Sequence, residues 1–335
     1  MKPFLDSTDC VDDGAELVRR MERDGYLFVR NLLPAHPLTS LRRRFLELAR
    51  DGGWVATEAP LEEAVADLNG FCVEPEPKYN LVYRQMYKVA EFHALQHHPN
   101  LLELLERMTG EPVIPHPRII GRTIFPQREA FTTPPHQDYI PIQGTTDTYT
   151  AWFPLADLPA ETGGLQIAAG SHRHGVYNFR PCLGAGGMEI VEDPGNWVGA
   201  PFAVGDVLFF HSMVVHRGVP NTGRSLRLSV DARYQKRSDP VSDQSLLPHI
   251  MPVPWEEVYA DWPSDEYQYY WRDWEAEFVD YDYSYNEKRD RMAFELAEQG
   301  DKVAISALQR IIARDQDVAK IARAECLLAQ LEEPA

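Results

Sequence analysis

Long apolar runs are missing from this chain of 335 residues. None reaches the roughly eighteen residues that a membrane-spanning helix needs. The first residues, Met1-Lys2-Pro3-Phe4-Leu5-Asp6, turn acidic before a signal-peptide core can form. Cysteine is scarce as well. Cys10, Cys72, Cys182 and Cys326 stand far apart with no CxxC pair, which argues against a disulfide framework and a thiolate zinc site and fits a reducing compartment. A cytoplasmic protein is therefore expected. Positive charge is also short. Lys and Arg number 33 against 51 Asp and Glu, a net charge of −18, so nucleic acid and anionic membrane surfaces are poor partners. No internal repeat stands out. What remains is a chain 44% hydrophobic and 25% charged, able to bury one large core or two small ones.

The first hundred residues read as helical. Residues 13 to 24 form a helix stopped by Gly25, residues 26 to 30 a strand, and residues 37 to 50 a helix with Leu38, Leu41, Phe45 and Leu48 on one face. Residues 51 to 78, rich in Gly, Pro and Glu, read as a surface excursion. Two more helices follow at 79–97 and 98–109. His93, His97 and His98 fall there and read as core or surface histidines, not ligands. From 112 onward short strand-like runs take over, at 113–125, 148–155, 163–168, 187–192, 202–210, 213–218 and 224–235, punctuated by Pro, Gly and Asn. Many short strands joined by turns predict a jelly roll of the cupin kind, a mainly β fold with flanking helices. Residues 180–200 have the composition of a flexible loop that can act as a lid.

Three side chains suggest chemistry. In Thr132-Thr-Pro-Pro-His-Gln-Asp-Tyr-Ile140, His136 and Asp138 lie at i and i+2. On an extended segment both point to one side and Gln137 to the other. His216 follows eighty positions after His136, at the end of an apolar stretch, and Arg227 eleven positions after His216. Two imidazoles and a carboxylate make the facial triad of non-haem iron oxygenases, with coordination positions left open. Alone, His-x-Asp reads equally as a turn with a capping Asp. The distant partners give it weight.

The constellation resembles the phytanoyl-CoA dioxygenase family of iron(II)/2-oxoglutarate oxygenases. The likeness runs over roughly residues 15 to 237. It rests on His136-Gln137-Asp138, Trp152, the run Gly163-Gly164-Leu165 to Gly170-Ser171-His172, Gly205-Asp206, the set His216, Gly218 and Asn221, and Arg227 with Ser229. The resemblance implies a double-stranded β-helix core over about 112–237. It implies an oxygenase domain over 1–240 and, beyond the family pattern, an aromatic and acidic segment with a helical C-terminal extension over 241–335. It implies Fe(II), 2-oxoglutarate and O2 as cofactor and co-substrates. His136, Asp138 and His216 would be the metal ligands. Arg227 would hold the far carboxylate of 2-oxoglutarate, with Ser229 on the same strand face and Trp152 nearby. Arg224 and Arg233 compete for the clamp, and Arg233 shares the parity of Arg227. His211 is the alternative to His216, and His172 reads as a supporting residue. Asp138 is a carboxylate where related halogenases have none, so hydroxylation is the default outcome. Desaturation, ring formation and epimerisation remain open.

Other readings are a metal-binding cupin without redox activity, as a sensor or structural protein, and a cupin isomerase or hydrolase. The substrate is expected to be a small molecule. The acidic, aromatic segment 252–285 suggests a neutral or cationic one. Residues 286–332 read as two or three amphipathic helices, with Ala304, Leu308, Ile311 and Ile312 on a stripe, serving as a cap on the sheet or as a homodimer contact.

Overall fold

A computed structural model describes residues 2–74, 76–182, 187–249 and 253–332. The chain opens with helix α1 (Gly14–Asp24), strand β1 (Tyr26–Val29) and helix α2 (Ala35–Asp51). Gly25 ends α1 in the left-handed region at φ 77°, and a Cβ there would collide with Val214 and His172. Helices α3 (Pro77–Tyr87), α4 (Ala90–Ala94) and α5 (Pro99–Thr109) follow, so the expected helix 79–97 is broken near Lys88.

Residues 51–78 are not a surface excursion. Trp54, Val55, Ala64 and Cys72 are buried in the main core, and Trp54 stacks on Tyr79 with ring centroids 5.1 Å apart. Glycine and proline set the turns there, but the large side chains decide the burial.

The barrel strands are β2 (Val113–Pro115), β3 (Ile120–Ile124), then after helix α6 (Tyr139–Ile142), β4 (Tyr149–Pro154) and β5 (Leu165–Ala168). Next come β6 (Phe179–Pro181), β7 (Met188–Ile190), β8 (Trp197–Val198), β9 (Val207–His211), β10 (His216–Gly218) and β11 (Arg227–Lys236). One sheet runs β1-β9-β4-β11-β2, with β3 also on β11. The facing sheet runs β10-β5-β8. These two antiparallel sheets form the expected jelly roll.

Alternation sorts the strands between two cores. Leu27, Val29, Ala151, Phe153, Val207, Phe209, Leu228, Val230, Ala232 and Tyr234 face outward into the large cluster under α1–α5. Phe28, Trp152, Leu208 and Phe210 face into the barrel with Phe202. On β11 the remaining parity carries Arg227, Ser229, Asp231 and Arg233. An inner wall so polar is unusual for a core and marks the site.

The segment 180–200, read as a loop, carries short strands: β6 and β7 pair as a two-stranded ribbon, and the Ile190 amide donates to the Pro135 carbonyl at 2.8 Å. Residues 183–186 of that segment lie outside the described residues. After strand β12 (Val241–Ser242) come helix α7 (Trp255–Tyr259) and strand β13 (Phe278–Val279), which pairs with β12. Trp255, Tyr259 and Trp271 join the large helical core. Helices α8 (Ser284–Glu298), α9 (Ile305–Arg314) and α10 (Val318–Glu332) close their apolar stripe, including Ala304, Leu308, Ile311 and Ile312, mainly on one another. Among the described residues no helix is long and apolar enough to cross a membrane.

Candidate active site

His136 and His216 lie opposite each other across an antiparallel bridge. Each backbone amide donates to the other's carbonyl, at 2.9 and 3.0 Å. This pairing explains why a separation of eighty positions in sequence does not part the two rings, whose centroids are 4.1 Å apart. Asp138 reaches them differently from a simple extended i, i+2 pair. Its backbone is already helical at φ −71° and ψ −25°, at the entry to α6. Its Oδ1 still lies 3.8 Å from His136 Nε2 and 3.9 Å from His216 Nε2.

One ligand atom from each of the three groups falls within 4.8 Å of the other two, and all three residues are buried. Both Nδ1 atoms face backbone carbonyls, His136 toward Pro134 at 2.8 Å and His216 toward Val214 at 3.2 Å. A donating Nδ1 leaves the Nε2 lone pair free to converge with Asp138 on a metal. Burial, then the neighbouring His216, pull the His136 imidazole down to about 3, and burial lowers His216 too. Burial opposes ionisation of Asp138, but Arg233 and the two imidazoles prevail and hold its carboxyl below the ordinary carboxylate value. Neutral imidazoles beside an ionised carboxylate are the protonation states a divalent cation requires.

Gln137 does face away from the triad. Its Nε2 donates to the Gly175 and Met213 carbonyls at 2.8 and 2.6 Å, and its Oε1 accepts from the Tyr177 amide at 2.9 Å. The middle residue thereby fixes the two around it. Thr150, which the sequence did not single out, donates from its hydroxyl to Asp138 Oδ2 at 2.8 Å and leaves Oδ1 toward the imidazoles.

Arg227 is buried, and its Nη1 donates to the Gly164 carbonyl at 3.1 Å. Its Nε has no partner among the described residues, and neither does the Ser229 hydroxyl two positions on. Burial pulls the guanidinium down to about 10. Burying a cation without a carboxylate costs several kcal/mol, on the order of one unpaired ion, so a ligand that brings a carboxylate is the natural complement. Gly163, at φ 73°, has no room for a Cβ beside the Val219 and Pro220 carbonyls, which explains the paired glycines. Trp152 lies on the inner wall against Phe202, opposite Asp231 and Leu208 in the sheet.

The competing residues are placed elsewhere. Arg224 is exposed and pairs with Glu63 at 2.6 Å. Arg233 shares the inner face and approaches Asp138 at 3.4 Å. His211, on β9 and not on the strand of His216, pairs with Asp147 at 3.3 Å. His172 bonds the Glu22 carbonyl at 3.0 Å and ties the barrel to α1. His93 is buried against the Tyr87 carbonyl. A further network was not legible. Arg122, opposite Ser229 on β3, donates to Asp231 and to Glu74, while His249 reaches the other Glu74 oxygen at 3.2 Å. Another acidic group, Glu287, Asp290 and Asp315, already holds the Lys320 ammonium at 2.6 to 2.8 Å and is no metal site.

A jelly roll that gathers two imidazoles and a carboxylate on its inner wall is a cupin-type metal protein. The chain belongs to the phytanoyl-CoA dioxygenase (PhyH) family, whose model matches residues 21–229. It is a 2-oxoglutarate-dependent oxygenase with iron as its metal. Among relatives it is similar to the 1-deoxypentalenic acid 11-beta-hydroxylase of Streptomyces arenae, at 28% identity over 264 residues, covering 73% of this chain and 89% of that one. A probable phytanoyl-CoA dioxygenase of Caenorhabditis elegans is 20% identical, over 66% of this chain and 74% of its own. Among solved structures, the non-heme alpha-ketoglutarate-dependent epimerase SnoN from nogalamycin biosynthesis is 22% identical, covering 68% of this chain and 82% of that one, with a TM-score of 0.47.

Proposed function

We propose that this oxygenase hydroxylates a small-molecule metabolite, with His136, Asp138 and His216 as the ligands of Fe(II). The metal with 2-oxoglutarate and O2 supplies the oxidising chemistry. In balance, one substrate C–H, one O2 and one 2-oxoglutarate become C–OH, succinate and CO2. The residues bind and orient. Thr150 and Arg233 hold Asp138 ionised and turned, Pro134 and Val214 set the imidazole tautomers, and Gln137 locks the segment. Arg227 binds the far carboxylate of 2-oxoglutarate, with Ser229 as a second donor and Trp152 as part of the wall. The single observation that carries this reading is Arg227, a buried guanidinium with no ion-pair partner among the described residues, on the same barrel wall as the triad's support. A metal site alone has no use for that cation. Hydroxylation is favoured because Asp138 fills the third ligand position, and the curated Streptomyces relatives are named as hydroxylases.

We also propose a two-part chain, an oxygenase domain to about residue 240 and an extension over 241–335 that acts as a cap. The helices of 284–332 close their apolar surface on one another, which speaks against a homodimer contact through that stripe, and Trp255, Tyr259 and Trp271 tie the extension to the main core. The deciding experiment supplies iron, O2 and 2-oxoglutarate and measures succinate. Formation that requires all three and is lost in H136A supports the reading, and succinate formed equally without added 2-oxoglutarate or by H136A defeats it.

A further inference from the structure

One side chain on the inner wall beside the metal set serves neither the metal nor the co-substrate. Residues opposite each other on antiparallel strands share a face, and neighbouring strands lie about 4.8 Å apart. Phe210 lies opposite Thr150, and Thr150 opposite Arg233. The register of β2 on β11 pairs Pro115 with Tyr234, so the next pair is His116 with Arg233, and the His116 amide donates to the Arg233 carbonyl at 2.8 Å. Phe210, Thr150, Arg233 and His116 therefore form one row across the inner face. Three of them touch the ligand set. The Phe210 ring lies 4.5 Å from the His216 ring between centroids, and Thr150 and Arg233 reach Asp138 at 2.8 and 3.4 Å. His116 stands one strand further along the same row.

Its tautomer follows from Gln235, which has the inner parity of Arg233. Gln235 donates from Nε2 to the Asp239 and Pro240 carbonyls at 3.0 and 3.2 Å, which fixes the amide. Its Oε1 is then the atom that faces His116 Nε2 at 2.8 Å, and an amide oxygen only accepts. The imidazole proton therefore sits on Nε2, and Nδ1 carries a bare lone pair. Burial keeps the ring neutral by pulling it down to about 4. His116 is 1% exposed, and its Nδ1 has no hydrogen-bond partner among the described residues. The ring is already held through Nε2 and the backbone amide, so the fold makes no use of this lone pair. A buried acceptor without a donor is costly, and a substrate that brings one is its complement.

We propose that His116 is a specificity-determining residue of this oxygenase, whose Nδ1 accepts a hydrogen bond from a hydroxyl or amide N–H of the organic substrate. This rests on the oxygenase reading above and names a group that its substrate carries. The donor is neutral. A neutral imidazole that offers only a lone pair here cannot hold a carboxylate, and Arg233 one strand away repels an ammonium.

Two variants separate the ring nitrogens. His116→Gln sets an amide NH2 near the place of Nε2, so the bond to Gln235 survives and the acceptor at Nδ1 is lost. His116→Asn sets a carbonyl oxygen near the place of Nδ1 and gives up the bond to Gln235. The Fe(II)- and 2-oxoglutarate-loaded enzyme without oxygen is titrated calorimetrically with cyclohexanol, 1-adamantanol and 1-adamantanecarboxamide, each beside its methylated counterpart, the methyl ether or the N,N-dimethylamide. At least one donor is expected to bind ten times more tightly than its methylated counterpart. In His116→Gln that ratio falls below three and in His116→Asn it stays above three, with iron content and 2-oxoglutarate affinity unchanged in both. Absence of any donor preference in the wild type, or its survival in His116→Gln, overturns the proposal. A ratio that falls only together with iron content makes His116 a support of the fold and overturns it too. Failure of the wild type to retain iron and 2-oxoglutarate before any probe is added overturns the oxygenase reading instead.

Discussion

At the residue scale the site is a set of unequal dependencies. His136→Ala, Asp138→Ala and His216→Ala each remove one of three convergent ligand groups. Each is expected to abolish iron-dependent succinate formation and to lower bound iron, while circular dichroism stays native. Near-normal turnover at saturating iron would remove that residue from the ligand set. Arg227→Ala should keep iron and lose the co-substrate. A buried charge-assisted contact is worth about 2–5 kcal/mol when one partner is deleted, so the KM for 2-oxoglutarate should rise at least tenfold, measured at constant iron. Thr150→Val keeps shape and removes the hydroxyl that turns Asp138. Losing such a supporting bond typically costs about 10- to 100-fold in metal affinity. A competition titration against a metal indicator reads it. His136, Asp138, His216 and Arg227 were legible in the sequence because their types and spacing are rare together. Thr150, Arg122 and Glu74 were not, because common residue types gain a role only through strand register: Arg122 meets Ser229 across β3 and β11, and Arg233 meets Thr150 across β11 and β4.

At the element scale the short strand-like runs between turn residues were readable, and 148–155, 202–210 and 224–235 contain β4, most of β9 and most of β11. The break in the expected helix 79–97 was less so, since Lys88 and Val89 carry no proline or glycine to announce it. Composition misled over 51–78, where Trp54 and Cys72 dock in the core despite their polar surroundings. The aromatics of 252–285 pack mostly on the layer of α3 and α4. Trp262 Nε1 donates to the Lys88 carbonyl at 2.9 Å, Trp255 packs near Tyr87 and His93, and Glu257 pairs with Arg84 and Lys88. Truncation should therefore be graded. Ending the chain after residue 240 strips Trp255, Tyr259 and Trp271 from the main core and is expected to give aggregates by light scattering. Ending it after residue 283 removes the three-helix unit and is expected to leave a soluble protein that binds iron. An iron-free but folded shorter form would show that the extension contributes to the metal site.

The whole molecule carries a pH limit. His93, His116 and His249 are held at about 4 and His97 at about 3, in each case chiefly by burial. These folded values lie below the unfolded value near 6.5. Between the two, the unfolded chain binds protons that the folded one refuses. Stability is then complete above pH about 6.5 and falls as pH drops toward 4, by up to about 1.4 kcal/mol per pH unit for each histidine. Thermal denaturation between pH 7 and 4.5 should show Tm falling steeply on the acid side. A flat Tm over that interval would mean that these imidazoles are already charged in the fold.

The segment around Tyr281 and Asp282, which ties down the stretch after Asp138, is made late. Tyr281 and Asp282 reach Ile140 and Gln143, so a loop beside the triad is completed by residues synthesised long after it. At about 5–20 residues per second, roughly 3 to 13 seconds separate the emergence of His216 from that of Asp282. On the ribosome His136, Asp138 and His216 already exist while Ile140 and Gln143 lack Tyr281 and Asp282, and the helical core over α3 and α4 lacks Trp255 and Trp271. A nascent chain stalled in that interval leaves an uncovered aromatic surface on the helical layer, the kind of surface that chaperones retain.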